Sequence, residues 1–78
     1  MTDQIKEAYI NIARAMYEFN VLLERQVTTM RESEASDPIK LDRMTQGAKA
    51  MRDSTAIYLS YAKFVAYGMP DSEELIEE

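Results

Sequence analysis

The sequence contains no cysteine and no histidine. Without cysteine the chain has no disulfides to stabilise it, and without either residue it cannot build the common Cys/His zinc site. Histidine is also the usual acid–base group near neutral pH, and cysteine is the usual thiol nucleophile. The composition therefore predicts a protein that is not an enzyme, with no catalytic residue, no cofactor and no metal site.

Glycine and proline occur only twice each in 78 residues, which argues against a turn-rich β fold. A chain of this length forms one small domain and buries only about 60% of the surface that it exposes when unfolded. In the absence of disulfides and metals, oligomerisation is the common remedy for so small a core. We therefore expect an all-α domain that associates with a second chain.

Long hydrophobic runs are also absent. The most apolar window, residues 56–69, is interrupted by Lys63 and is shorter than the about 20 residues that span a bilayer. Residues 1–6 lack the apolar stretch of a signal peptide. We expect no membrane contact and a cytoplasmic location.

The first half of the chain carries a hydrophobic pattern of helical period. Residues at alternating spacings of four and three form a heptad seam, and Gln26 fills its one polar position: Ile5, Tyr9, Ile12, Met16, Phe19, Leu23, Gln26 and Met30. A polar residue in such a seam commonly fixes register or oligomeric state. With Thr2 or Asp3 as the cap, the pattern predicts a helix over residues 3–33.

The second half predicts another helix of similar length. Small polar residues fill positions 33–37, and the Asp37-Pro38 pair is a strong helix start signal. A second seam follows, and Gly68 is placed to end the helix in a left-handed conformation: Leu41, Met44, Ala48, Met51, Thr55, Tyr58, Ala62 and Val65. Residues 1–68 thus form an antiparallel hairpin with helices at 3–33 and 38–67. The residue numbers of facing positions should add up to roughly 70.

Both helices carry more apolar residues than one hairpin can bury. Off the two seams lie further stripes, which we expect to form a protein interface: Ile10, Tyr17 and Val21 on the first helix, and Ile57, Tyr61 and Phe64 on the second. Exposing these groups to water costs about 25 cal/mol per Å². The simplest cover is a second hairpin, so we expect a homodimeric four-helix bundle, with burial by a different protein as the alternative.

The net charge of −5 is concentrated at the C-terminus. Residues 1–34 sum to −2, residues 35–67 to +2, and residues 68–78 to −5. Residues 69–78 therefore form an acidic tail or short turn, which is either a solubilising end or a partner-binding element. In the second case Leu75 and Ile76 would dock in an apolar groove while Glu73 and Glu74 meet basic residues.

One face of the second helix has the composition of a phosphate-binding surface. Lys49, Arg52 and Lys63 fall within about 60° of one another at 100° per residue. Three bases are few, and the basic footprint of a nucleic-acid-binding domain, with a pI above about 9, is missing. Nucleic-acid binding is therefore considered but not favoured.

Two partial resemblances bear on these alternatives. Met1-Thr2-x-Gln4-x-Lys6-x-Ala8, followed by Ala13-Arg14 and a helical hairpin with an acidic tail, resembles the Rop family of plasmid copy-number proteins. That resemblance implies a homodimeric four-helix bundle that binds paired RNA loops, and it covers about the first eight residues. Ser36-Asp37-Pro38 is similar to the interhelical loop of type III secretion needle subunits. We infer membership of neither family.

The features together favour a non-enzymatic protein–protein interaction module, such as a small adaptor, a chaperone-like bundle or an inhibitor. One alternative is a Rop-like nucleic-acid-binding regulator that uses Lys49, Arg52 and Lys63. The other is a phage-type inhibitor that places its acidic tail in the basic cleft of a nucleic-acid enzyme.

Overall fold

A computed structural model describes residues 2–69 of the chain, which form two helices packed against each other as an antiparallel hairpin. Helix α1 spans Asp3–Glu32 and helix α2 spans Pro38–Ala66. Each helix ends one residue before its predicted end. Within residues 2–69 there is no strand, so the all-α class and the hairpin are confirmed.

Both helices begin at the predicted capping residues. The hydroxyl oxygen of Thr2 accepts a hydrogen bond from the backbone N–H of Ile5 at 3.3 Å. The carboxylate of Asp37 accepts one from the N–H of Ile39 at 2.9 Å, and Pro38 occupies the first turn. These side chains satisfy N–H groups that have no partner inside the helix.

Helix α2 ends in a left-handed cap, as the position of Gly68 predicts. Gly68 has a φ of 85°, and its N–H donates to the carbonyl of Val65 at 3.1 Å. The N–H of Met69 donates to the carbonyl of Phe64 at 2.8 Å. This pair of bonds is the Schellman arrangement, in which a glycine takes the positive φ without a Cβ clash.

The seam of α1 is rotated from its predicted position. Ile12 and Phe19 are 39% and 51% exposed, and Gln26 is exposed as well, so these three do not lie in the core. The residues of α1 that are buried or half-buried follow the neighbouring set of three-and-four spacings: Lys6, Tyr9, Ala13, Met16, Asn20, Leu23, Val27 and Met30. The predicted seam was therefore right at every second position and wrong at the others.

The seam of α2 is rotated in the same sense. Met51, Tyr58 and Val65 are 40%, 50% and 46% exposed, although the sequence pattern assigned them to the core. The buried residues of α2 are instead mostly small: Ala48, Thr55, Leu59 and Ala66. Small side chains at the contact let two helices approach closely, because the distance between helix axes depends on the residues between them. The bulkier predicted residues would hold the helices apart.

The predicted register is also wrong. The numbers of the contacting residues Asn20 and Thr55 add up to 75, and those of Glu24 and Arg52 add up to 76. Both values exceed the predicted 70 by five or six. Part of the difference arises because helical side chains lean toward the N-terminus of their own helix. In an antiparallel pair, the contacting residue of α2 therefore lies farther from the loop.

The cap of α2 provides a test of the loop. Replacement of Asp37 by alanine should lower the free energy of unfolding by about 1 kcal/mol, since the Ile39 N–H loses its acceptor. Urea unfolding followed by circular dichroism measures this change. Asp42→Ala, at an exposed site beyond the first turn of the same helix, is the matched control. Equal losses in the two variants would contradict the capping role.

Candidate interaction surfaces

The hairpin exposes apolar residues on both of its sides. One side, here called the apolar face, carries an open groove of about 740 Å³ formed near the open end of the hairpin. Its lining includes Ile5, Ala8 and Ile12 from α1 and Ser54, Tyr58, Tyr61 and Val65 from α2. Ile5, Ile12, Tyr58 and Val65, which the sequence pattern assigned to the seams, therefore lie on this surface instead.

The opposite side, here called the mixed face, carries a groove of about 980 Å³ with a different lining. Tyr17 and Val21 supply apolar surface from α1, and Ala56 does so from α2. Polar and charged groups lie among them: Asn20, Glu24, Arg25, Thr28, Thr29, Arg52 and Thr55. This side combines apolar anchors with hydrogen-bonding groups, as protein-binding surfaces commonly do.

The predicted interface residues are divided between these surfaces. Tyr17 and Val21 line the mixed face, whereas Ile57 and Tyr61 line the groove of the apolar face. Ile10 is 47% exposed and Phe64 is half-buried. The six residues thus do not form one continuous patch, because the stripes were positioned relative to seams that the structure rotates.

Two of the three basic residues of the predicted nucleic-acid face are paired with carboxylates. Arg52 forms a short ion pair with Glu24 across the hairpin, and the Lys49 ammonium lies 3.2 Å from Asp53 on the same helix. Lys63 is half-buried near the end of α2. All four paired side chains are more than half exposed, so each pair contributes little to stability and is screened by salt. The pairing nevertheless lowers the positive charge that this face presents.

Asn20 and Thr55 form a polar contact at the centre of the seam. The Asn20 side-chain amide donates to Thr55 Oγ1 at 3.0 Å, and that hydroxyl donates to the Met51 carbonyl at 2.7 Å. Thr55 is only 3% exposed. The Asn20 carbonyl oxygen is buried and has no hydrogen-bond partner among the described residues. Asn20 therefore holds the polar seam position that the sequence pattern assigned to Gln26.

Aromatic contacts join the two helices at the end of the hairpin that lies opposite the loop. The rings of Tyr9 and Tyr67 meet edge to face with centroids 6.3 Å apart, and the Lys6 ammonium lies 5.4 Å from the centroid of Tyr67. Such edge-to-face and cation–π contacts each contribute about 0.5–1.5 kcal/mol. They hold the N-terminus of α1 against the C-terminal end of α2.

The predicted partner-binding tail residues Glu73, Glu74, Leu75 and Ile76 lie outside the described residues. Within residues 2–69, no group of three or more carboxylates is placed to hold a metal ion. Neither described helix combines the length and apolarity needed to cross a bilayer.

Comparison with protein-family models, curated proteins and solved structures finds no significant match. The comparisons therefore add no support to the resemblances with the Rop family or the needle subunits.

The Asn20–Thr55 contact can be tested by a double-mutant cycle. Thr55→Val should destabilise the hairpin by about 1–3 kcal/mol, because it removes the acceptor of the buried Asn20 amide. Combining it with Asn20→Leu should recover most of that loss, since no buried polar group is then left unpaired. Urea unfolding at fixed protein concentration measures all four corners of the cycle. Simple additivity of the two changes would show that the groups are not coupled.

Proposed function

We propose that this chain is a non-enzymatic protein–protein interaction module that works as a pair of hairpins in a four-helix bundle. The observation that carries the proposal is the presence of apolar surface on both sides of a single layer of two helices. A second copy covers one side, and the other side binds a different protein. An adaptor, a chaperone-like bundle and an inhibitor all act in this way.

The small core supports this proposal. Only four apolar residues of the described chain are less than 9% exposed: Val27, Ala48, Leu59 and Ala66. Large side chains such as Tyr17 and Tyr61 remain 61% and 71% exposed. Stable domains consist of at least two packed layers, because a helix must bury its apolar stripe against another element. A hairpin whose outer stripes face water on both sides therefore needs partners.

The mixed face is the side that we assign to the different protein. Tyrosine and arginine are enriched at the centres of protein interfaces, and this face carries Tyr17, Arg25 and Arg52 in one groove. The hydroxyls of Thr28 and Thr29 already donate to carbonyls one turn earlier in α1, at 3.1 and 3.0 Å. Their oxygens still have lone pairs to accept donors from a partner.

Partner binding can be tested with the immobilised chain in an extract of its native host. Tyr17→Glu combined with Val21→Glu should abolish retention of the bound protein, because two carboxylates then face an apolar surface. Lys40→Glu combined with Lys49→Glu, at exposed positions that do not line this groove, is the matched control and should leave retention unchanged. Retention should also resist high salt, since an apolar interface is not screened.

The opposite pattern would support the alternative of nucleic-acid binding. In that case the immobilised chain retains nucleic acid and releases it steeply as salt rises, because phosphate contacts release counterions. Lys49→Glu with Arg52→Glu then abolishes retention, and the Tyr17 and Val21 variant does not.

The acidic tail is tested by deletion of residues 71–78, which removes all five carboxylates of the C-terminal segment. We expect helix content and self-association to stay nearly unchanged, since neither described helix is shortened. Binding to the protein partner should weaken, and more so at low salt, if the glutamates contact basic residues. Calorimetry with the purified partner measures the change. Unchanged affinity would show that the tail only increases solubility.

A further inference from the structure

The apolar face continues along both helices as two uninterrupted heptad stripes. On α1 they occupy positions 5, 8, 12, 15, 19, 22 and 26, and on α2 positions 44, 47, 51, 54, 58, 61 and 65. These fourteen positions are occupied by Ile5, Ala8, Ile12, Ala15, Phe19, Leu22, Gln26, Met44, Gly47, Met51, Ser54, Tyr58, Tyr61 and Val65. None of them is charged, although 29% of the residues in the chain are charged. On α2 the uncharged run begins at Met44, since the preceding position of the pattern is Lys40. A helix surface that faces only water has no reason to avoid charge over so many turns.

From this surface we infer that the apolar face binds a second copy of this chain, face to face about a twofold axis. The inference rests on the proposed function, because it names which side of the module serves self-association. The exposed area, the charge of the face and the position of Gly47 each favour a second copy as the occupant.

The exposed area matches what a stable dimer needs. Eight large side chains of the apolar face are on average about half exposed: Ile5, Ile12, Phe19, Leu22, Met51, Tyr58, Tyr61 and Val65. At roughly 200 Å² for each fully exposed large side chain, they present about 800 Å² together. A standard-size interface takes about 800 Å² from each partner. One second hairpin is therefore enough to cover the face.

The charge distribution favours a second copy over an unrelated protein. In a twofold contact the same patch meets itself, so a charged residue near the axis would face its own sign. A patch without charge avoids this repulsion. The nine acids and nine bases of residues 2–69 also cancel, so two described hairpins do not repel each other through net charge.

Gly47 gives an independent indication of close approach. It lies inside α2, where glycine is less favourable than any residue except proline. A Cβ added at this position would meet nothing within 4 Å, so packing within the hairpin does not require glycine here. A neighbouring helix of a second copy would require it, because the absence of a side chain lets a large residue from the other hairpin enter.

The tail of the same chain is a poor cover for this face. The segment beyond Met69 has nine residues, of which five are acidic and only Leu75 and Ile76 are large and apolar. Two such side chains cannot cover eight, and carboxylates do not enter an apolar contact without partners.

Sedimentation equilibrium of the full chain and its variants tests the inference. The unmodified chain should be a dimer at micromolar concentration. Ile12→Glu with Tyr58→Glu should raise the dimer dissociation constant on the order of a hundredfold, because two unpaired carboxylates would be buried. Ile10→Glu with Ile39→Glu, at exposed positions that line neither groove, is the matched control and should leave the constant unchanged. A monomeric unmodified chain, or a dimer sensitive only to the control variant, overturns the inference.

Gly47 supplies a second test that does not place charge on the face. Gly47→Leu should keep or raise the helix content measured by circular dichroism while it raises the dissociation constant by about tenfold through overpacking. Gln46→Leu adds the same side chain one position earlier and should leave the constant unchanged. Equal constants for the two variants would refute the close approach at Gly47.

Cross-linking provides a measurement that remains valid if a glutamate variant fails to fold. The chain has no cysteine, so a single introduced thiol reports on its own surroundings. Ser54→Cys on the apolar face should form a covalent dimer with a flexible bismaleimide, and Ser60→Cys, at an exposed site outside the fourteen positions, should not. Equal cross-linking contradicts the assigned face.

Failure of self-association and failure of partner binding are separable. A monomeric chain that still loses its protein partner on Tyr17→Glu with Val21→Glu would overturn the second copy and leave the interaction module standing. A chain that forms the dimer but binds no other protein would support the second copy and overturn the proposed interaction with a different protein.

Discussion

The packing of α1 against a stripe of mostly small side chains on α2 determines which residues of this protein reach the surface. Ala13 of α1 and Ala48, Thr55 and Ala66 of α2 lie in the contact, and three of these four are less than 9% exposed. Helices separated by such residues pack at short distance and gain dispersion contacts along their length. The same rotation turns Ile12, together with the other bulky residues of the predicted seams, away from the contact. The apolar face is the direct consequence of the tight seam.

A hairpin with so few buried residues has a stability that depends on what covers it. One layer of two helices buries one stripe per helix, and this chain has at least two apolar stripes on each. If a second copy supplies the other layer, folding and association are coupled, and the apparent stability rises with protein concentration. The fold and the interaction surface are then not separate properties, because the residues that complete the core belong to two chains.

The ends of the helices could be predicted from the sequence, because they depend on local interactions. The rotation of each helix and the register between the two helices could not be predicted in this way. Thr2, Asp37 and Gly68 act through hydrogen bonds and backbone angles within a few residues, so their roles follow from position alone. The seam depends on the other helix. Tyr9, Met16, Leu23 and Met30 belong to two overlapping three-and-four patterns. One is completed by Ile5, Ile12, Phe19 and Gln26, and the other by Lys6, Ala13, Asn20 and Val27. Hydrophobicity alone predicts the pattern with Ile5, Ile12 and Phe19 as the buried one. In the structure the pattern with Ala13, Asn20 and Val27 packs against α2 instead. Tyr17 and Tyr61, both predicted to lie off those seams, line grooves on different sides of the hairpin.

A seam rich in alanine also explains why a polar pair is placed within it. Small residues of similar size discriminate poorly between neighbouring registers, because each of them fills a contact position almost equally well. A slip of one heptad would bring Asn20 opposite Ala48 or Ala62 in place of Thr55. The Asn20 amide would then lose its acceptor as well, and an unpaired buried amide costs about 1–3 kcal/mol. In the native register the Asn20 carbonyl oxygen already has no hydrogen-bond partner within residues 2–69, and the slip would leave the amide unpaired in addition. The pair thus contributes to the choice of register rather than to the strength of packing, as buried polar residues do in coiled coils.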